Sequence, residues 1–104
     1  MNTTTSTNGI GDHLSARKMV KPVNFFLTAP TAHSVSIIGD FNDWNPAANP
    51  MRRRIDGAWF AQVELTHGHH EYQFLVDGIT WTDPQAMGIG VNRRGEKVSL
   101  VAVS

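Results

Sequence analysis

The run "GAWFAQVELTHGHHEYQFLVDG", Gly57–Gly78, decides the fold. Both of its halves alternate between apolar and polar with period two, as a β-strand does when one face is buried. In the first half Trp59, Ala61, Val63 and Leu65 share one side, and Phe60, Gln62 and Glu64 the other. Val63 and Leu65 mark the first set as core. Trp59 is therefore a packing residue and Phe60 a half-covered surface aromatic. In the second half Tyr72, Phe74 and Val76 form the core side, with Glu71, Gln73 and Leu75 opposite. Gly68 stands between the halves, where a hairpin calls for positive φ. Asp56-Gly57 and Asp77-Gly78 supply turns at either end.

Further strands extend outward from this hairpin. "VKPVNFFLTAP" is a strand with Pro22 near its start, which favours a sheet edge. "SVSIIGD" alternates cleanly, "MRRRID" is short and charged, and "EKVSLVAV" closes the chain. Short strands with regularly spaced turn signals predict a sandwich or barrel rather than a parallel sheet. No long amphipathic helix and no internal repeat is evident. The expected fold is all-β, an immunoglobulin-like antiparallel β-sandwich over residues 19–104. Residues 1–18, rich in Thr, Ser, Asn and Gly, read as a flexible N-terminal leader.

A chain of 104 residues suits one domain. Nine basic and nine acidic residues cancel, which argues against a general polyanion binder and hence against nucleic acid as a partner. Arg52–Arg54 and Arg93–Arg94 read instead as edge charges that discourage strand-to-strand aggregation. No apolar run approaches the roughly 20 residues that span a bilayer, and the N-terminus lacks the apolar core of a signal peptide. The expectation is a cytoplasmic protein with no membrane partner. Without Cys there are neither disulfides nor thiolate metal sites. His67, His69 and His70 suggest a metal, but neighbouring strand residues face opposite ways, so solvated histidines and no metal or other cofactor are expected. Asp40, Asp43, Asp77 and Asp83 sit in turn contexts where Asp serves the backbone. No carboxylate pair, nucleophile elbow or phosphate loop stands out. With the chain ending at Ser104, the expectation is a non-enzyme.

Trp44 and Trp81 lie outside the alternating pattern, in "NDWNP" and "TWTDP". One reading has each capping an end of the sandwich. The other makes them an exposed aromatic platform, since the C–H face of a pyranose stacks on an indole while its hydroxyls need polar partners at the rim. Asn42, Asn45, Gln73 and Asn92 are neutral groups suited to that rim.

The combination of "VSIIGDFNDWNP", "GAWFAQVELTHGHHEYQFLVDG", "WTDP" and the closing "VSLVAV" resembles the family-48 carbohydrate-binding modules over Val20–Val103. These are early-set domains like the isoamylase N-terminal domain and the glycogen-binding domain of the AMP-activated protein kinase β subunit. The resemblance implies a non-catalytic module that binds an α-1,4-glucan such as glycogen or a maltooligosaccharide. By the same resemblance Trp44 and Trp81 are the sugar-stacking tryptophans. Gln73 stands where kinase-type members often carry a sugar-binding lysine. The loop 88–98 lacks the Thr and Asn with which those members clasp the glucan, leaving Asn92 or Arg93 as substitutes. That departure keeps an alternative open, a protein-interaction domain of the same fold with weakened sugar binding.

Overall fold

A computed structural model describes residues 19–104, so the leader expected at residues 1–18 lies outside the described residues. Among the described residues eight strands follow one another: β1 Val20–Thr28, β2 Val35–Gly39, β3 Arg52–Arg53, β4 Ala58–Thr66, β5 Gly68–Val76, β6 Ile79–Trp81, β7 Gly88–Val91 and β8 Lys97–Val103. No helix occurs among the described residues. The strands form two antiparallel sheets, and the chain is an all-β, immunoglobulin-like sandwich.

The smaller sheet has the order β1-β4-β3. Its β1–β4 ladder runs from Val20 opposite Thr66 to Thr28 opposite Ala58. Pro22 falls on an edge strand, as its missing N–H requires. Arg52 and Arg53 form the other edge and are exposed. The larger sheet is built around β5. One side of β5 pairs with β2, from Gly39 opposite Tyr72 to Val35 opposite Val76. The other side is shared by two strands. Residues 68–72 pair with β8 and residues 74–76 with β6, which leaves a fork at Gln73. β7 lies beyond β8.

Alternation places the core where the hydrophobic pattern predicts. Trp59, Val63 and Leu65 of β4 face Tyr72, Phe74 and Val76 of β5 across the sandwich, and all six are buried. Phe25 packs edge-on against Tyr72 with ring centroids 4.9 Å apart. The buried indole of Trp59 keeps its N–H satisfied by donating to Ala29 O at 2.9 Å. Phe60 is half-buried and lies against Phe26 with centroids 5.0 Å apart.

Three readings need correction. β6 and β7 were not visible in the pattern, so Trp81 ends a strand rather than sitting on a loop. β6 has three residues, and β7 carries glycines that β-propensity disfavours. At position 90 a Cβ would stand 3.3 Å from a Leu100 methyl, a tight contact that the leucine side chain would have to yield to. His70 is not a solvated residue. Its side chain is 13% exposed, with Nδ1 3.1 Å from Asp40 Oδ1 and Nε2 2.9 Å from Thr66 O. Asp40 thus stands beside His70, brought there from 30 positions away.

Three of the four turn aspartates serve the backbone: Asp40 Oδ2 accepts Glu71 N–H at 3.0 Å and Asp83 Oδ1 accepts Gln85 N–H at 2.8 Å, whereas Asp43 makes no such bond among the described residues. Asp77 Oδ1 accepts the N–H groups of His33 and Ser34, both at 2.8 Å. The backbone N–H of Ser34 and then that of His33 hold its carboxyl below the ordinary carboxylate value. Asp77 and Gly78 have φ of 49° and 83°, the left-handed pair that a tight hairpin between β5 and β6 requires.

Candidate functional site

β2 ends at Gly39, and the chain there enters a tight turn that presents Trp44. The N–H groups of Asn42 and Trp44 both donate to Gly39 O, at 3.1 and 2.9 Å. Asp43 and Trp44 have φ of 56° and 57°. Two successive non-glycine residues in the left-handed region, one of them bulky, are uncommon and carry strain. The Asn42 side chain holds the turn in place. Its Oδ1 accepts Gly39 N–H at 3.0 Å, and its Nδ2 donates to Ile37 O at 3.0 Å and to Asn49 Oδ1 at 2.7 Å. Gly39 has no room for a Cβ, which would sit 2.6 Å from Glu71 O. The outcome is an indole held at 37% exposure on a short, cross-braced turn.

Trp44 lines an open depression of about 880 Å3. Its other walls include Ile38 of β2, Glu71 and Gln73 of β5, Thr80 of β6 and the turn from Asn92 to Lys97. Ile38 and Gln73 are register partners on the side of β5 away from the core. The depression therefore lies on the outer face of the larger sheet.

Of the five residues expected to bind sugar, the depression brings together Trp44, Gln73 and Asn92. Trp81 and Asn42 do not line it. Trp81 is the register partner of Phe74, whose side chain is wholly buried, so it stands on the core side of the sheet. It remains 40% exposed there, because β6 lies at the flank of the sandwich. Thr80, one residue earlier, faces the depression instead.

Gln73 is 6% exposed, and its amide fills the fork between β6 and β8. Nε2 donates to Thr82 Oγ1 at 3.1 Å and to Lys97 O at 2.9 Å. Oε1 accepts Ser99 N–H at 3.2 Å and Ser99 Oγ–H at 2.8 Å. Two donors and two lone pairs are all an amide has, so its capacity is used within the protein. A lysine has no acceptor with which to meet Ser99. The network continues inward. Ser99 Oγ accepts Asp83 N–H at 2.8 Å, and the Tyr72 hydroxyl donates to Asp83 Oδ2 at 2.5 Å. Burial and the neighbouring Asp83 carboxylate push the Tyr72 phenol well above its ordinary range.

Asn92 is likewise engaged. Its Oδ1 accepts the N–H groups of Arg94 and Glu96 at 2.9 and 3.0 Å, and its Nδ2 donates to Glu96 Oε1 at 3.1 Å. It closes the turn between β7 and β8, where Gly95 has φ of 80°. Asn45, also weighed from sequence, accepts Ala47 N–H at 2.9 Å and does not line the depression. Glu71, Asp43, Thr80 and Arg94 are lining residues that sequence reasoning missed. Strand parity would have flagged Thr80 once β6 was recognised.

The family model for carbohydrate-binding module 48 (isoamylase N-terminal domain) matches residues 10–98, and the chain belongs to that family. Among its curated relatives is the 1,4-alpha-glucan branching enzyme GlgB of Novosphingobium aromaticivorans, 39% identical over 70 residues, or 66% of this chain and 10% of that protein. The enzyme of the same name from a Synechococcus species is 34% identical over 96 residues, 89% of this chain and 12% of that one. The Prochlorococcus marinus enzyme is 48% identical over 67 residues, 64% and 9%. The chain thus spans about a tenth of the length of these relatives. No helix among the described residues is long and apolar enough to cross a membrane.

Proposed function

We propose that this chain is a non-catalytic module that binds α-1,4-glucan, such as glycogen or a maltooligosaccharide, in the cytoplasm. The carrying observation is the Trp44 indole, held partly exposed by a strained and braced turn at the wall of an open depression. An indole fixed in this way offers its face to the C–H side of a glucose ring without an ordering cost at binding. Family membership supports carbohydrate as the ligand class, and the relatives named for α-glucan branching support glucan. Trp44 is the stacking residue of the depression. Trp81 stands apart on the other side of the sheet, while Gln73, Asn42 and Asn92 hold the walls in shape. One stacked ring and a few hydrated hydrogen bonds correspond to a Kd of roughly 10 μM to 1 mM, about −7 to −4 kcal/mol.

The test is a titration of intrinsic tryptophan fluorescence with maltoheptaose and β-cyclodextrin, repeated on Trp44→Ala and Trp81→Ala. A saturable change that Trp44→Ala removes is the expected result. A flat wild-type response up to several millimolar sinks the glucan reading.

A protein-interaction role is favoured by a separate observation. Ile79, Trp81, Met87 and Ile89, none of which lines the depression, are all exposed apolar residues on or beside β6 and β7. β7, unlike the arginine-bearing edge β3, carries no charge. Under that reading Trp81→Ala weakens partner capture and leaves glucan titrations unchanged.

A further inference from the structure

Resting on the glucan reading, the depression also shows which groups are available to hold the sugar's hydroxyls. The amides on its wall are largely committed. Gln73 makes four internal hydrogen bonds, and Asn92 closes its own turn with three. The remaining polar lining is mostly charged. Arg93 and Arg94 stand exposed on the turn between β7 and β8. Asp43, beside Trp44, and Glu71, on β5, stand on the other walls. Among the described residues, the only ion pairs are His33 with Asp77 and His70 with Asp40, so none of these four side chains is held by an opposite charge.

We infer that a sugar stacked on Trp44 is oriented by this charged collar, with Arg93 and Arg94 donating to its oxygens and Asp43 and Glu71 accepting from its hydroxyls. The chemistry suits a vicinal diol. A guanidinium presents parallel N–H groups that two neighbouring hydroxyl oxygens can accept together, and a carboxylate accepts from two neighbouring O–H groups. Hydrogen bonds with one ionised partner are roughly twice as strong as neutral ones. Cations and anions both line the depression, so the collar is not specialised for a phosphorylated or otherwise anionic ligand. The ligand class is a neutral polyol ring.

The experiment is a maltoheptaose titration of the whole chain, read by tryptophan fluorescence, for wild type, R93A/R94A, R93K/R94K and Glu71→Gln. R93A/R94A is expected to bind about tenfold more weakly or worse. R93K/R94K, which keeps charge but loses the planar fork, should fall between it and wild type, and Glu71→Gln should lose a few-fold. Thermal midpoints of the arginine variants should not move, because Arg93 and Arg94 are exposed. Saturable wild-type binding matched within twofold by R93A/R94A overturns the collar and leaves the Trp44 platform standing. A wild type that does not bind overturns both.

Discussion

Trp44 and Trp81 are exposed to almost the same degree, 37% and 40%, yet they are products of different structures. Trp44 rides a turn whose backbone is strained and whose position depends on Asn42 reaching Gly39, Ile37 and Asn49. Trp81 is a strand residue that pairs with Phe74 and ends β6, a three-residue strand off the main path of the larger sheet whose residues are all exposed. Equal exposure therefore does not mean equal purpose. Strain and bracing on one indole point to a presented group, whereas regular geometry on the other points to the flank of a core.

Substituting Trp44 should give the largest separation between the two. Trp44→Ala is expected to weaken maltoheptaose binding by about thirtyfold or more, because it removes the stacking surface. The thermal midpoint should shift by only a few degrees, as the indole is not part of the core. Binding on an amylose resin, with a melting curve in parallel, checks both.

Asn42→Ala sharpens the contrast from beneath. It leaves Gly39 N–H and Ile37 O without their partner and should cost about 1–3 kcal/mol in urea unfolding. It should also weaken glucan binding several-fold, although Asn42 does not line the depression. An unchanged affinity at reduced stability would show that Trp44 needs no brace.

Trp81→Ala is expected to change glucan affinity less than threefold. A loss as large as that of Trp44→Ala would break the comparison and make the two indoles one platform.

The smallest effect concerns the hairpin that leads into β6. The N–H groups of Ser34 and His33 hold the Asp77 carboxyl below its ordinary value of 3.8. A depressed folded value means that the stabilisation is present above the unfolded value and is lost as pH falls through the folded one. Asparagine keeps an acceptor and tolerates the left-handed φ. The stability gap between wild type and Asp77→Asn should thus be full at pH 7 and close below about pH 4. Thermal midpoints followed against pH measure it.

Much of this architecture could be read directly. The period-two pattern through Trp59–Leu65 and Tyr72–Val76 assigned both faces of the central strands, because alternation is a local property of an extended backbone. Gly57, Gly68 and Gly78 marked turns for an equally local reason, and each has positive φ. Pro22 and the arginines at 52 and 53 marked edges by what they lack or carry. The candidate site was legible only in part. Trp44 could be singled out as an indole among turn residues. The readings of Gln73, Asn42 and Asn92 as sugar partners assumed side chains that were free.

The sequence by itself therefore determined the strands that alternate, the faces they bury and the family to which they belong. The tertiary structure alone decided which polar groups are free. Gln73 finds Ser99 across 26 positions, His70 finds Asp40 across 30, and Asp83 reaches Ser99 across 16. It also decided which way Trp81 faces, because β6 acquires its sidedness only by pairing with β5. The physical reason is common to these cases. A side chain's hydrogen-bonding capacity is finite, and whether protein or ligand takes it depends on contacts that no local pattern encodes.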